Sequence, residues 1–440
     1  MHGPGPAYSH REQAGWYFYD WANSAFSTTV VTLLLGPWLT ELAQAAANGR
    51  RYIFPLGVPV DPLSYWAYLL SLSVMTQMVF LPLLGAIADY SPRKRTLLAV
   101  FAYAGAAATM CMFFLEKQRY LLGGALFLIA NLSYGASAVI YNSYLPEIAP
   151  PEERDAVSSK GWGIGYLGGG LLLAGNLLIT AKAGAFGLTQ TQAVRISFFS
   201  AGAWWALFTI IPLLALRKRE PVRVLAPGEG YFSAGFRHIA RTLANMRQYP
   251  QSLKFLLAYL LYSDAIQAVI TLSGQFGSTQ LKIPIPTIAL AILMVQFVAF
   301  FGAMLFNWIA ARIGAKRAVM LSLVIWTAVL VYIYLSVRTT AQFFMMAAAV
   351  AIVLGGSQAL SRSLYSQMIP KGKEAEYFSI YEISDKGTSW LAPLLFALAL
   401  QFTGSYRVAI LSLIVFFVLG LGILSRVDVR RGAADAGAAL

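Results

Sequence analysis

The 440-residue sequence is poor in charge, cysteine and histidine, and each shortage removes a class of chemistry. Charged residues make up 12% of the chain, against roughly 25% in a soluble globular protein, so water is not its only solvent. Cys111 is the single cysteine, which excludes an internal disulfide and a cysteine-based metal cluster and leaves the redox compartment unreadable. The three histidines, His2, His10 and His238, fall outside apolar runs, so neither a buried metal site nor a histidine proton relay is expected. No G-x-x-x-x-G-K-[ST] loop, G-x-S-x-G elbow or H-E-x-x-H pair occurs. ATP-driven chemistry and hydrolysis have no support, and no cofactor is implied. Gly163-Ile164-Gly165-Tyr166-Leu167-Gly168 satisfies G-x-G-x-x-G, but that fingerprint needs a strand before it and a helix after it. Here it lies inside an apolar run, where small residues let helices approach closely.

What the chain has in abundance is apolar sequence, at 58% of residues. Runs of roughly the 20 residues that span a bilayer recur at about 16–42, 65–88, 96–115, 120–145, 158–181, 195–216, 251–275, 285–310, 318–336, 341–368, 376–402 and 406–425. The expected fold is therefore an all-α membrane protein of twelve transmembrane helices. The first run carries Asp20 and Asn23 and has no small-residue cleavage site, so it is expected to be retained as a span. The net charge of +14 follows from loop lysines and arginines rather than from a basic face with exposed stacking aromatics, and nucleic acid is not an expected partner. Loops on the side of both termini hold 21 Lys and Arg, against 9 on the other side. The positive-inside rule then places both termini in the cytoplasm, with the plasma (inner) membrane as the expected location.

The longest hydrophilic stretch, 217–250, divides the chain into bundles at 1–216 and 251–440. Within it Phe232, Phe236, Ile239, Leu243 and Met246 recur at spacings of three and four, with basic residues between them. That pattern predicts an amphipathic helix on the membrane surface. The halves repeat. Gly85–Arg95 aligns with Asn307–Arg317 at an offset of 222, and Tyr141–Pro146 with Tyr365–Pro370 at 224. Asp20 and Asn23 correspond to Asp264 and Gln267 at 244, the difference falling in a longer loop at about 43–64. Two six-helix bundles related by a pseudo-two-fold axis are expected.

The Gly85–Arg95 segment resembles the loop signature of the major facilitator superfamily. The run Tyr19-Asp20-Trp21-Ala22-Asn23-Ser24-Ala25-Phe26, with Leu145-Pro146-Glu147-Ile148-Ala149-Pro150 and Gly165-Tyr166-Leu167-Gly168-Gly169-Gly170, resembles one branch, the autophagy-related vacuole effluxers. The resemblance implies a central cavity between two bundles, alternating access and, for fungal relatives, efflux of amino acids. The second loop has Ala311 where the superfamily pattern expects an acid, so a gating charge is expected at Asp89 with Arg93 and Lys94, where loop charge pairs close one face and break when it opens.

A charge near the bilayer centre costs roughly 2.5–3.5 kcal/mol, so an acid inside a span needs a wet cavity, a partner or a proton. Asp20 and Asp264 meet that description on repeat-related spans and are the leading substrate or proton sites, the alternative being carboxylates that merely accept local hydrogen bonds. In the eleventh span Glu382 and Lys386 have the i, i+4 spacing of an ion pair, with Asp385 beside them. The group is either a self-neutralising brace or a pair broken by substrate. Arg362 is expected to snorkel to the interface rather than to partner one of these acids. Asn131, Tyr134, Tyr141, Asn142, Trp162, Tyr166, Gln267 and Gln358, with Asn23, are candidates to line the cavity, against simple helix-to-helix bonding. The expected function is secondary transport of a small solute, amino acids or similar polar metabolites, outward and with protons as coupling partner, by a monomer in the bilayer. Lipid or amphipathic-drug export and a non-transporting receptor are the rivals.

Overall fold

Hydrocarbon offers no partner for a free backbone N–H or C=O, so apolar spans fold as helices that satisfy their own backbones. In the computed structural model, which describes residues 8–219, 246–386 and 391–437, they do so throughout. The first half contains α1 (His10–Ala47), α2 (Pro62–Tyr90), α3 (Lys94–Phe114), α4 (Tyr120–Ile148), α5 (Arg154–Ala181) and α6 (Gln190–Ala215). The second contains α7 (Pro250–Ser278), α8 (Pro286–Ile313), α9 (Ala315–Leu335) and α10 (Thr340–Ser366). In the eleventh run the described helical residues are α11 (Glu374–Lys386) and α12 (Leu391–Thr403). The twelfth is α13 (Tyr406–Ser425), followed by a short α14 (Val429–Asp435). The chain is an all-helical protein with the twelve-span, two-bundle arrangement expected from its repeats. The predicted amphipathic helix falls almost wholly on residues 220–245, outside the described residues.

Inside the first half α1 packs on α5 and α6, and α3 on α4; inside the second α8 packs on α10 and α7 on α13. The halves meet through α5 against α8 and α10, and through α11 against α2 and α4. Close approach is built into the sequence. A Cβ on Gly85 of α2 would stand 2.5 Å from the Ala375 carbonyl oxygen of α11, nearer than any side chain permits, so only glycine lets these helices meet.

The interface is sealed at the end that carries both termini. Asp89, the last acid of α2, accepts the backbone N–H groups of Ala375 (2.9 Å) and Glu376 (2.8 Å), capping the first turn of α11 from the opposite half. Arg154 at the start of α5 donates to the Ser366 carbonyl at the end of α10, 2.9 Å away. Toward the other end the halves diverge around a cavity of about 890 Å³. Its lining includes Leu70, Val74 and Met78 of α2, Ile288 and Gln296 of α8, and Phe343 and Val350 of α10, all on the portions of those helices remote from the termini. The cavity therefore opens away from the terminal face.

α1 departs from regular geometry where it borders this cavity. Phe26–Leu34 winds as a π-helix, and Thr32 donates its hydroxyl to the Ser27 carbonyl five residues back (2.8 Å). The sequence there, Thr28-Thr29-Val30-Val31-Thr32, is a run of β-branched residues, which crowd the preceding turn of an α-helix.

Candidate functional site

The floor of the cavity is a polar cluster drawn from five helices. Asp20 on α1 accepts at Oδ2 both the Tyr141 hydroxyl of α4 (2.8 Å) and Nη1 of Arg362 from α10 (3.1 Å). The same Nη1 donates to Oδ1 of Asn142 (3.2 Å). Nε and Nη2 donate to the hydroxyl and carbonyl of Ser158 on α5, each at 2.9 Å. Asn142 in turn donates to Oε1 of Glu382 on α11 (2.9 Å). Acid, base, amide and acid thus alternate between the halves, Asp20 and Asn142 in the first and Arg362 and Glu382 in the second.

Arg362 is only 2% exposed. Such a buried cation is tolerable only when paired and hydrogen-bonded, and aromatic faces complete its shell. Its guanidinium lies 4.7 Å from the Trp16 ring, 5.3 Å from Trp162 and 5.7 Å from Tyr141. Trp16 stacks on Tyr141 with centroids 4.3 Å apart and donates to the Tyr141 carbonyl (2.9 Å). Room for this shell comes from Gly161, where a Cβ would fall 2.7 Å from Trp16, 3.0 Å from Asp20 Oδ2 and 3.1 Å from Arg362 Nη2.

Arg362 does not snorkel to the interface. It turns inward to Asp20, and the expectation from its position near the end of α10 is corrected. The repeat supplied no signal for it, because its position in the first half carries Ala138. A signal was nonetheless present, since an acid retained inside a span requires a partner and Arg362 was one of few bases inside an apolar run.

Of the other predicted residues, Asn23, Tyr134, Asn142, Trp162, Tyr166, Gln267, Gln358 and Glu382 all line the cavity, as do Asn131 and Tyr141. Higher up, Tyr166 donates to Gln358 across the halves (2.5 Å), and Asn131 donates to Ser73 (2.7 Å). Asp264 lies elsewhere. It is 1% exposed, away from the cavity lining, and its Oδ2 accepts the Ala392 N–H at the start of α12 (2.8 Å). Its Oδ1 has no partner among the described residues. The side chains of Asp385 and Lys386 lie outside the described residues, so the Glu382–Lys386 pair does too. At the terminal face the hydrogen bonds of Asp89 come from backbone N–H groups, while the Lys94 ammonium acts on it through space. Lys94 pairs with Glu147 (2.6 Å). Arg93 is exposed and makes no ion pair among the described residues. In the second half Lys316, the counterpart of Lys94, donates to the carbonyls of Ser425 (2.8 Å) and Val427 (2.7 Å).

Two six-helix halves, sealed at one end and enclosing a central cavity with a charged floor, define a transporter of the major facilitator fold rather than an enzyme. The chain belongs to the family described as vacuole effluxer Atg22 like, which it matches over residues 8–437. It is 31% identical over 422 residues to the uncharacterized MFS-type transporter YxiO of Bacillus subtilis, covering 94% of each chain. It is 26% identical to autophagy-related protein 22-1 of Penicillium rubens, covering 97% of this chain and 91% of the relative. Among solved structures it resembles the proton:xylose symporter XylE bound to 6-bromo-6-deoxy-D-glucose, with a TM-score of 0.69 at 14% identity over 95% of this chain and 94% of that one. It also resembles a bacterial homologue of the iron transporter ferroportin in the outward-facing state, with a TM-score of 0.65 at 13% identity over 94% and 98%. At these identities the likeness is one of fold.

Proposed function

We propose that the chain exports small solutes by alternating access and exchanges protons for them at Asp20. The observation that carries this reading is the Asp20–Arg362 pair, which joins the halves at the cavity floor. A carboxylate held by a base of the other half has three alternative partners: that base, a proton, or a charged solute. Exchange among them couples occupancy of the site to separation of the halves, as a two-state mechanism requires.

The sealed terminal face supplies the second element. Asp89 on the N-terminus of α11 and Arg154 on the end of α10 are contacts that must break for the cavity to open on that side. With the termini in the cytoplasm, as the loop charge balance argues, this structure is the state open to the outside. The name effluxer, given to the family, favours export, and the fungal resemblance favours amino acids as cargo. The cavity wall gives specific support to a second cargo class. Val31, Val74, Met75, Ile292, Val295 and Met346 present apolar surface above the polar floor, which suits an amphipathic solute better than a purely polar one.

The test is solute flux into and out of proteoliposomes, with and without an imposed pH gradient, for wild type and Asp20→Asn. Gradient-dependent flux that is lost in the variant is the expected result. Flux that ignores both the gradient and the substitution overturns proton exchange at Asp20, and absence of flux for any solute tried overturns transport.

A further inference from the structure

We propose that the floor of the cavity recognises an organic cation, a protonated amine or quaternary ammonium carried on an apolar body. The proposal rests on the transporter reading and names its substrate class. Among the described residues that line the cavity, three are charged: Asp20, Glu382 and Arg362. They do not face it equally. The Arg362 side chain is 2% exposed against 12% for Asp20, and Nε, Nη1 and Nη2 of the arginine all donate already to Ser158, Asp20 or Asn142. Of that pair, the charged group within reach of a visitor is the Asp20 carboxylate.

Ring faces reinforce that sign. Tyr141, Trp162, Tyr166, Tyr259 and Tyr381 line the same region, and an aromatic face attracts a cation through its quadrupole. Tyr259 of α7 stacks with centroids 4.2 Å apart on Tyr381 of α11, the helix that brings Glu382 to the floor from the second half. An anion entering here would have to displace Asp20 from a buried guanidinium while approaching Glu382. An ammonium group meets carboxylates and rings, and takes the place of the guanidinium only at Asp20 while the arginine keeps its bonds to Ser158 and Asn142.

The wall fixes the rest of the molecule. Beyond the floor the lining turns to Val31, Met75, Ile288, Ile292, Val295 and Phe343. A cavity of about 890 Å³ lies toward the upper end of the roughly 300–1,000 Å³ that accommodate drug-sized ligands, so the apolar body can be several times larger than the amine. The arrangement also supplies a reason for proton exchange: proton and ammonium are both cations competing for the same carboxylates, so one leaves as the other arrives.

The test uses one phenyl scaffold with four head groups in three charge states, measured as binding to the full chain in nanodiscs near neutral pH. The probes are phenethyltrimethylammonium, phenethylamine, phenylalanine and 3-phenylpropionate. The two cations are expected to bind most tightly, the zwitterion more weakly and the anion weakest. Glu382→Gln keeps an oxygen for Asn142 and removes one charge. It is expected to weaken cation binding by about tenfold or more, the loss of one charge-assisted interaction. Asp20→Asn is expected to do the same, and Glu382→Gln keeps the proposal testable if leaving Arg362 unpaired unfolds the other variant.

Equal or tighter binding of the anion, cation binding unmoved by Glu382→Gln in a folded protein, or no binding of either cation would overturn the proposal. Counterflow of labelled phenethyltrimethylammonium separates it from the transporter reading. Binding that follows the expected order without counterflow sinks transport and leaves the class standing. Transport of an anion that the cations do not inhibit sinks the class and leaves transport standing.

Discussion

At the scale of single residues, the account depends on how a charge survives away from water. Asp20 was legible in the sequence as an acid inside a span, but its partner was not, because Arg362 lies 342 positions away on α10 and chain order carries no distance information. Asp264 was legible for the same reason as Asp20, yet it takes a different place, accepting the Ala392 N–H instead of lining the cavity. Repeat symmetry predicts matching positions on matching helices, not matching roles. Removing one partner of a buried pair costs about 3–5 kcal/mol, because the other is left uncompensated. Arg362→Ala and Asp20→Ala are therefore each expected to lower the unfolding midpoint of the detergent-purified protein strongly. The neutral double variant Asp20→Asn with Arg362→Gln should fall by less than the sum of the corresponding single changes. A strictly additive double-mutant cycle would show that the two residues do not act as a pair.

At the scale of elements, helix existence and approximate position were readable from hydropathy, since each crossing must satisfy its backbone within itself. The π-helical turn in α1 was not, because β-branched residues are equally at home in an ordinary span and only packing at the cavity makes the irregularity visible. The contact of α2 with α11 was half legible: the acid at Asp89 was expected to act at the sealing face with loop bases, and Lys94 does act on it through space, but its hydrogen bonds come from the backbone N–H groups of Ala375 and Glu376. Two expected outcomes belong here. Asp89→Ala removes a helix cap worth about 0.5–2 kcal/mol, shifting the equilibrium toward a state open on the terminal side by roughly two- to thirtyfold. Gly85→Val places a side chain against the Ala375 carbonyl and should shift it in the same direction. Alkylation of Ser366→Cys, a position 2% exposed, reads both in a Cys111→Ser background that has no other cysteine. Faster labelling is expected in each variant, and unchanged labelling would show that this contact does not hold the face closed.

At the scale of the whole molecule, the two halves and their repeat could be read directly, because matching loop segments at a nearly constant offset survive where individual contacts do not. How the halves meet could not, since closure at one end and opening at the other is a property of packing between distant segments. The central claim is that a solute and a proton exchange at one carboxylate while the halves alternate. Proteoliposomes containing a trapped pH-sensitive dye measure this most directly, upon addition of phenethyltrimethylammonium or an amino-acid mixture, for wild type, Asp20→Asn and Asp264→Asn. The account predicts a solute-dependent change in internal pH for wild type, its loss in Asp20→Asn and its retention in Asp264→Asn. A wild type in which no solute moves protons, or an Asp20→Asn variant that moves them equally well, would contradict it.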